Sequence, residues 1–384
     1  MPNVQGYTGE TEETWSVRTS LSIFHARETK VRKRTVKEIP VIDNHRVAAE
    51  VGARLYRGRS IEAIHYASIA VVDRSSTLTH SLGDSYLITM TRSSIKPFQL
   101  MPLIMTGAAD HYKFSNEQLA IMSGSHSGTD EHRVVVMSNL ERAGNRPEHL
   151  KCGTHLPMFM QLDNLYPRDG EDKDSLRHNC SGKHSGFLAL ARFMGVDPED
   201  YLDQDSKSQK LIKKTISDIC EYPQEKMYVG TDGCSAPNYP LPLANLATGF
   251  MKLANPDTCP PDLGKALKRV NEAISHAPFM ISGLNRLDYN LMSSFHSNIV
   301  CKGGAEGLQA IGFSDPPFGI AVKVHGGNAR VLGAICVELL KQLGIVRNMG
   351  DYPDLYRYEK PEIRNNRDLV TGHVIPDFQM KKSG

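Results

Sequence analysis

The sequence has little net charge and no long apolar run. Its 45 lysine and arginine residues nearly balance its 43 aspartate and glutamate residues, and a formal charge of +2 gives no net field for wrapping nucleic acid or coating an acidic membrane. No run approaches the roughly 20 apolar residues that span a bilayer, and we find no signal-peptide pattern. These absences exclude nucleic-acid and membrane proteins as first expectations and predict a small-molecule ligand.

The cysteines also lack a disulfide framework. There are seven of them, an odd number, and they are scattered over 384 residues. A chain of this length can bury a hydrophobic core without disulfide bonds. We therefore expect reduced thiols and a cytoplasmic location. With 40% apolar and 23% charged residues, the composition is typical of a globular protein of one large or two ordinary domains.

Residues 1–44 differ in composition from the rest of the chain. They combine acidic residues, the only tryptophan (Trp15) and the basic run KVRKRTVK from Lys30 to Lys37. The run is short for a nucleic-acid arm and the acidic residues argue against a transit peptide, so we predict a solvated, partly ordered extension. Residues 45–384 are predicted to form a single catalytic domain.

Strand patterns occur at both ends of this domain and helix patterns in its middle. The stretches 61–72 and 86–91 predict adjacent strands near a Gly83-Asp84 turn, and strands return at 310–313 and 319–324. Helices are predicted after a capping box at Ser115 and at 129–143, 185–194, 206–220, 241–253, 262–275 and 330–343. Because β-α-β alternation is missing, we expect an α+β fold with an antiparallel-rich sheet subdomain (about 45–95 and 295–384) and a helical subdomain (about 96–294).

The segment RSSIKP, from Arg92 to Pro97, contains a Ser-x-x-Lys spacing. Lys96 can reach the hydroxyl of Ser93, and a lysine made neutral by burial can remove the serine proton. Because Pro97 is tolerated only in the first turn of a helix, Ser94 is predicted as the N-cap. An ordinary helix cap beside a solvated lysine would look the same, so this signal is weak alone.

The segment SGSHSGT, residues 123–129, lies between two predicted helices. Its glycines allow the backbone to approach a ligand, its side chains supply hydrogen-bond donors, and the following helix N-terminus favours an anion. The candidate substrate or oxyanion residues are Gly124, Ser125, His126 and Ser127. A polar loop between helices is the structural alternative.

Two later segments each combine a cysteine with other potential ligands: HNCSGKHSG from His178 and TDGCS from Thr231. Cys180 and Cys234, with Asp232 or a histidine, could form a tetrahedral zinc site. Two half-buried cysteines in tight turns would explain the residues equally well, since the spacing matches no zinc finger. A last segment, KGGAEG from Lys302, invites comparison with the Lys-Thr-Gly motif of Ser-x-x-Lys hydrolases, although a glycine-rich turn also explains it.

In this order the motifs RSSIKP, SGSHSG, NCSGKH, TDGC and KGGAEG resemble those of the asparaginase II family, the Rhizobium etli type often called class 3 L-asparaginases. The resemblance runs from about residue 48 to about residue 377. It implies hydrolysis of the L-asparagine side-chain amide to L-aspartate and ammonia, on a fold similar to serine β-lactamases, penicillin-binding proteins and glutaminases. It also implies two Ser-Lys pairs, Ser93 with Lys96 and Ser125 with a more distant lysine, Lys302 or alternatively Lys323.

The resemblance further implies a metal site, usually zinc, formed by Cys180, Lys183, Asp232 and Cys234, and a homodimer. One serine, Ser125 or Ser93, is expected to form a β-aspartyl ester while backbone N–H groups of the 123–128 loop hold the oxyanion. Two alternatives stay open at this point. One is a glutaminase or β-lactam-type hydrolase using the same Ser-x-x-Lys, and the other is a non-catalytic zinc-binding regulatory protein.

Overall fold

An antiparallel sheet built from both ends of the described chain forms one layer of the protein. The computed structural model describes residues 48–167 and 170–383, and the predicted extension at 1–44 lies outside them. The strands are β1 (Glu50–Arg57), β2 (Ser60–Asp73), β3 (Leu78–Leu82), β4 (Ile88–Met90), β5 (Gly230–Thr231), β6 (Pro237–Asn238), β7 (Pro240–Pro242), β8 (Ile299–Gly304), β9 (Leu308–Phe313), β10 (Phe318–Val324), β11 (Glu362–Arg364), β12 (Val370–Pro376) and β13 (Lys381–Lys382).

The order of strands across the main sheet is β11-β12-β1-β2-β10-β9-β8, with β3 on β2 and β13 on β3. The long strand β2 joins the two ends of the chain. Its Ala67 pairs with Glu50 of β1 on one side and with Val324 of β10 on the other. The predicted α+β architecture, with a sheet assembled from both ends, is confirmed.

Helices fill the middle of the chain. They are α1 (Lys96–Met105), α2 (Ala108–His111), α3 (Asn116–Ser123), α4 (Asp130–Arg142), α5 (Met158–Leu162), α6 (Ser181–Phe193), α7 (Lys207–Cys220), α8 (Leu243–Ala254), α9 (Pro261–His276), α10 (Pro278–Ser282), α11 (Leu287–Phe295), α12 (Leu332–Gln342) and α13 (Tyr356–Glu359). Within the described ranges, no helix combines the length and apolarity needed to cross a membrane.

Helix α8 packs directly on the sheet because a glycine lies beneath it. A Cβ on Gly319 of β10 would lie 2.0 Å from the carbonyl oxygen of Ala247 in α8, so only glycine permits this approach. On the opposite face, Ile335 of α12 lies against Gly52 of β1. The sheet is therefore covered on both faces, and its strands β8, β9 and β10 are largely buried.

The predicted capping box is present, and a further side-chain cap lies where a helix start was predicted. Ser115 and Gln118 form the expected reciprocal capping box of α3, and the Ser206 side chain caps α7. The predicted N-cap role of Ser94 is wrong. A 3₁₀ turn at Arg92–Ile95 precedes α1, and the Ser94 hydroxyl donates to the carbonyl of Thr91 at 2.6 Å.

Two further expectations need correction. Residues 88–90 do not pair with β2. The Asp73 side chain accepts hydrogen bonds from the N–H groups of Ser75 and Thr77, and this tight turn brings β3 onto β2, while β4 pairs with β7. Helix α6 begins at Ser181, four residues before the predicted start, so the polar motif forms its first turn.

We expect Gly319→Ala to lower the free energy of unfolding by about 1–3 kcal/mol, because the added methyl group collides with α8. Urea denaturation measures this change. Gly326→Ala is the control, since a Cβ there meets nothing within 4 Å, and its effect should stay within about 0.5 kcal/mol. Equal stability of the two variants would contradict the close packing of α8 on β10.

Candidate active site

A buried lysine amine contacts a serine hydroxyl between α1 and the loop after α3. Lys96 is fully buried, and its Nζ donates to Ser125 Oγ at 2.8 Å and to the carbonyl of Gly124 at 2.7 Å. Burial is the main cause that lowers the pKa of Lys96 to about 8; the charges of Lys183 and Lys302 act in the same direction, and those of Cys180 and Cys234 oppose it. A usable fraction of this amine is therefore neutral near physiological pH, as a general base requires.

The loop that carries Ser125 is fixed by backbone and side-chain hydrogen bonds. The N–H of Ser125 donates to the carbonyl of Ile281 at 2.7 Å, and the buried guanidinium of Arg286 donates to the carbonyl of Ser125 at 2.9 Å. The Ser127 hydroxyl donates to the carbonyl of Ser282 at 2.6 Å. These contacts hold Ser125 toward Lys96.

Some groups expected to hold an oxyanion are used within the fold. The N–H groups of Gly124 and Ser125 both donate to carbonyl groups, which leaves the backbone of residues 126–128 as the part of the predicted loop still open to that role. His126 Nε2 lies 3.0 Å from Ser181 Oγ. Because Ser181 itself donates to the carbonyl of Leu176, His126 is the donor of this pair. Burial lowers the pKa of His126 well below its usual value, so the ring is neutral.

Ser93 has a different environment from Ser125. It lies half-buried in the 3₁₀ turn, three residues before Lys96, and positions three apart share one side of such a turn. In the described part of the chain, the Ser93 hydroxyl has no hydrogen-bond partner, whereas Ser125 is 3% exposed and bonded to Lys96. The Lys96 amine donates to Ser125 and not to Ser93.

The two lysines considered as partners of Ser125 have other contacts. Lys302 in β8 is buried, and its Nζ donates to Asp288 Oδ2 at 3.0 Å and to the carbonyl of Gly303 at 2.7 Å. Lys323 in β10 is half-buried and donates to the carbonyl of Glu306. Neither amine is hydrogen-bonded to Ser125 in the described residues, although the charge of Lys302 acts on Lys96.

Two of the four predicted metal ligands, Lys183 and Cys234, are in direct contact, and Cys180 interacts with Cys234. Cys180 is the N-cap of α6, and Lys183, in its first turn, donates to Cys234 Sγ at 3.0 Å. A hydrogen bond from Cys180 and the ammonium of Lys183 lower the pKa of Cys234, so we assign Cys234 as the thiolate. The same hydrogen bond raises the pKa of Cys180, which stays a thiol.

The fourth predicted ligand, Asp232, has a separate partner. Its Oδ1 accepts a hydrogen bond from Arg92 Nε at 2.8 Å, while its charge helps to raise the pKa of Lys183 against the opposing effect of burial. Within residues 48–167 and 170–383, no cluster of three or more His, Cys, Asp or Glu side chains is arranged to hold a metal ion. Two sulfurs and an amine are nevertheless a donor set suited to zinc.

An open groove of about 440 Å³ lies beside the Ser93 turn. Its charged lining residues are Arg92, Asp232, Glu306 and Lys323, two of each sign. Arg92 connects the two acidic residues, at 2.8 Å from Asp232 and 3.9 Å from Glu306. The groove thus offers both cationic and anionic groups, and one of them, Arg92, directly precedes Ser93 in the chain.

Several residues that organise the site belong to no sequence motif. Asp288 accepts hydrogen bonds from Lys302, from the N–H of Gly303 and from Gln309 Nε2. Arg286 holds the Ser125 carbonyl from 161 positions away. For Asp288 the sequence contains one indication. An acidic residue among the apolar residues of a helix indicates a charge that is buried and paired.

A serine bonded to a buried amine, on an α+β fold of this topology, is an arrangement suited to nucleophilic hydrolysis. The family model described as L-asparaginase II matches residues 53–376. The chain belongs to the L-asparaginase II family, as the sequence motifs predicted, and is an asparaginase-type amidohydrolase. No curated protein matches the chain.

Solved structures with a match include a protein titled Mglu and a β-lactamase from Mycobacterium bovis. The first is 15% identical, with 73% of this chain and 67% of that chain covered and a TM-score of 0.34. The second is 10% identical, with 72% of this chain and 94% of that chain covered and a TM-score of 0.35.

We expect the activity, measured as kcat/KM, to rise with pH through a midpoint near 8, because the neutral amine of Lys96 is the active form and its pKa is about 8. Steady-state ammonia release between pH 6 and pH 10 gives this profile. Lys96→Met should lower kcat by about 10²-fold to 10⁴-fold and remove this ascending limb. A profile that falls through the same range would contradict Lys96 as the base.

Proposed function

We propose that this protein hydrolyses the side-chain amide of L-asparagine to L-aspartate and ammonia through a serine ester, with Lys96 as the general base. The hydrogen bond of 2.8 Å between Lys96 Nζ and Ser125 Oγ carries the proposal, together with the pKa of about 8 that burial gives to Lys96. A carboxamide is a weak electrophile with a poor leaving group, so it needs both an activated hydroxyl and a proton donor.

The groove beside Ser93 supports a free amino acid as the substrate. Asparagine carries an α-ammonium group and an α-carboxylate, and it needs partners of both signs. Arg92 and Lys323 suit the carboxylate, and Glu306 suits the ammonium group. A neutral, purely apolar amide would gain nothing from such a lining, so the charges favour an amino-acid amide over a simple one.

Ser93 is the proposed nucleophile, because it is half-buried beside the groove and its hydroxyl is not engaged. Ser93 Oγ attacks the side-chain carbonyl carbon, and the proton of the hydroxyl passes to the Lys96 amine. The C–N bond then breaks, and Ser125, hydrogen-bonded to Lys96, conveys that proton to the departing nitrogen, which leaves as ammonia. The product of this half-reaction is a β-aspartyl ester of Ser93.

Water completes the reaction by the reverse proton path. Lys96, neutral again after ammonia has left, accepts a proton from water, and the hydroxide adds to the ester carbon. The Ser93–carbonyl bond breaks, Ser93 recovers its proton from Lys96, and L-aspartate is released. One water is consumed and one amide bond is broken in each cycle.

We expect purified protein to release ammonia from L-asparagine faster than from L-glutamine, and Ser93→Ala and Ser125→Ala each to lower kcat by about 10²-fold to 10⁴-fold. Mass spectrometry after an acid quench should find the added aspartyl mass on the peptide with Ser93 in the parent protein, and less of it in Ser125→Ala, because Ser125 conveys the proton that the departing nitrogen needs.

Ser314→Ala is a matched control, because this serine hydroxyl bonds to Asn298 far along the sheet and should leave kcat unchanged. An aspartyl adduct on Ser125 would reassign the nucleophile. Glutamine hydrolysed at an equal or greater rate would contradict the asparaginase proposal in favour of a glutaminase, and turnover of a β-lactam alone would favour the β-lactam-type hydrolase.

We also propose one zinc ion per chain, held by Cys180, Lys183, Cys234 and Asp232. The two sulfur atoms and the amine are already close together, and Asp232 would exchange its contact with Arg92 for the metal. Four protein ligands would complete a tetrahedral zinc site, so zinc, when bound, would hold the segments that carry these ligands in place. The predicted homodimer and cytoplasmic location stay predictions.

Elemental analysis of protein purified without chelator should find about one zinc per chain, since two thiolate ligands and an amine bind it strongly. Cys180→Ala should lose the zinc, and Cys336→Ala, a buried cysteine in α12, should keep it. Protein that contains no zinc yet releases ammonia at its full rate would remove the metal from the proposed function.

A further inference from the structure

Arg92, the residue before the proposed nucleophile Ser93, has an unusual backbone conformation. Its φ is 49°, in the left-handed region, where contacts of the Cβ atom destabilise residues other than glycine. Strand β4 ends at Met90, and the 3₁₀ turn that contains Ser93 begins at Arg92. The left-handed residue is therefore the point at which the chain enters the turn. Such a conformation persists only where the surrounding structure holds it.

The side-chain amide of Asn238 holds both backbone polar groups of Arg92. Its Oδ1 accepts from the N–H of Arg92 at 3.0 Å, and its Nδ2 donates to the carbonyl of Arg92 at 2.9 Å. Because a backbone N–H only donates and a carbonyl only accepts, these bonds also determine which end of the amide is the oxygen. Asn238 is 1% exposed, so the contact is made away from solvent. Two bonds to one residue fix its orientation as well as its position.

Asn238 is itself anchored in regular structure. It lies in β6, where it pairs with Gly230 of β5. The carbonyl of the next residue, Tyr239, accepts hydrogen bonds from the N–H of Thr91 at 3.3 Å and from the Thr91 hydroxyl at 2.7 Å, and this hydroxyl lies 3.3 Å from Asn238 Oδ1. The backbone around Asn238 is thus fixed against the residue before Arg92, and the amide reaches Arg92 from a fixed position.

Loss of this amide would release Arg92. Its N–H and carbonyl groups would lose their partner, and the residue would relax toward the right-handed region, where its Cβ contacts are favourable. A rotation about the backbone bonds of Arg92 changes the position of Ser93 relative to β4 and to the groove. A displacement of about 1 Å at a reacting group is enough to lower the rate by about 10²-fold.

We propose that Asn238 is a positioning residue for the reaction: its amide holds Arg92 in the left-handed conformation and thereby places the Ser93 hydroxyl at the groove. The inference rests on the proposed function, in which Ser93 is the nucleophile. Asn238 acts through the backbone of Arg92 and touches no reacting atom in this scheme. It lies outside the sequence motifs, and its side chain connects the strand that follows Cys234 to the turn that carries Ser93.

The experiment measures kcat and KM with L-asparagine for the parent protein, Asn238→Ala, Arg92→Gly and the double variant. We expect Asn238→Ala to lower kcat by about 10²-fold in the parent, because Ser93 is displaced. Glycine adopts the left-handed conformation without a Cβ penalty, so in the Arg92→Gly background the same substitution should lower kcat by less than about 10-fold. A buried amide that only stabilised the fold would cost as much in both backgrounds.

Asn255→Ala is the matched control. Asn255 is also a buried asparagine, and its Nδ2 donates to the carbonyl of Met251 at 2.9 Å and to that of Phe313 at 2.8 Å. Phe313 is at the end of β9 that lies away from Gly304 and the Ser93 turn. This variant should lose stability in urea denaturation and keep the kcat of the parent.

Should Asn238→Ala fail to fold, Asn238→Thr is the second variant. A threonine suits the strand and fills more space than alanine, but its hydroxyl is too short to meet both the N–H and the carbonyl of Arg92. The same loss of kcat, and the same smaller loss in the Arg92→Gly background, are expected for it.

The conformation at position 92 is measured separately by NMR of protein with ¹³C-labelled arginine, because Cα and Cβ shifts differ between left-handed and right-handed residues. The Arg92 signal is identified by its loss in Arg92→Gly. We expect left-handed shifts in the parent and in Asn255→Ala, and right-handed shifts in Asn238→Ala.

The NMR measurement does not depend on turnover, so the two proposals fail separately. A parent protein that releases no ammonia from L-asparagine contradicts the proposed function, while the Arg92 shifts still test the hold of Asn238. With an active parent, the role of Asn238 is overturned by unchanged Arg92 shifts, by an unchanged kcat in Asn238→Ala, or by equal losses of kcat in the two backgrounds, and the proposed function then stands.

Discussion

The burial of three lysine amines in one region is the constraint on which the site depends. Lys96, Lys183 and Lys302 are each at most 2% exposed, and three uncompensated ammonium groups there would oppose folding strongly. Lys183 lies against the thiolate of Cys234, and Lys302 lies against Asp288. Lys96 alone is hydrogen-bonded to a hydroxyl and carbonyl groups rather than to a counter-ion, and its burial favours the neutral amine. The base is thus defined by which lysine lacks a counter-ion.

The architecture brings these charges together from distant parts of the chain. Lys96 begins α1, Lys183 is in the first turn of α6, and Lys302 is on β8 at one end of the sheet path. Helix α6 can approach α3 closely because a Cβ on Gly182 would lie 2.3 Å from the carbonyl of Ile121. The close packing of α6 on α3 at Gly182 also places the next residue, Lys183, beside Cys234. The geometry of the site therefore depends on the packing of the core.

Much of the fold could be read from the sequence where the signal is local. The capping box at Ser115 and the cap at Ser206 depend on residues three positions apart, and both are present. The family followed from the order of five motifs, each weak alone.

The start of α6 was missed because the glycine and polar residues of its first turn disfavour a helix intrinsically, and tertiary packing overrides that preference. The pairing of β4 with β7 joins residues about 150 positions apart, which no local pattern reports. Lys96 could be recognised as a candidate base from its local spacing. Its contact with Ser125, 29 positions away, could not be predicted for the same reason, and neither could the pairing of Lys302 with Asp288.

The construction of the sheet from both ends has a consequence for how the protein is made. During synthesis, β1 and β2 emerge early, but one side of β2 waits for β10, which starts only at Phe318. Until then the strand exposes unpaired N–H and carbonyl groups together with an apolar face, the kind of surface that associates with other chains. Ser93, Lys96 and Ser125 exist long before Lys302 arrives on β8. A nascent chain therefore carries Ser93, Lys96 and Ser125 before the last strands close the sheet around them.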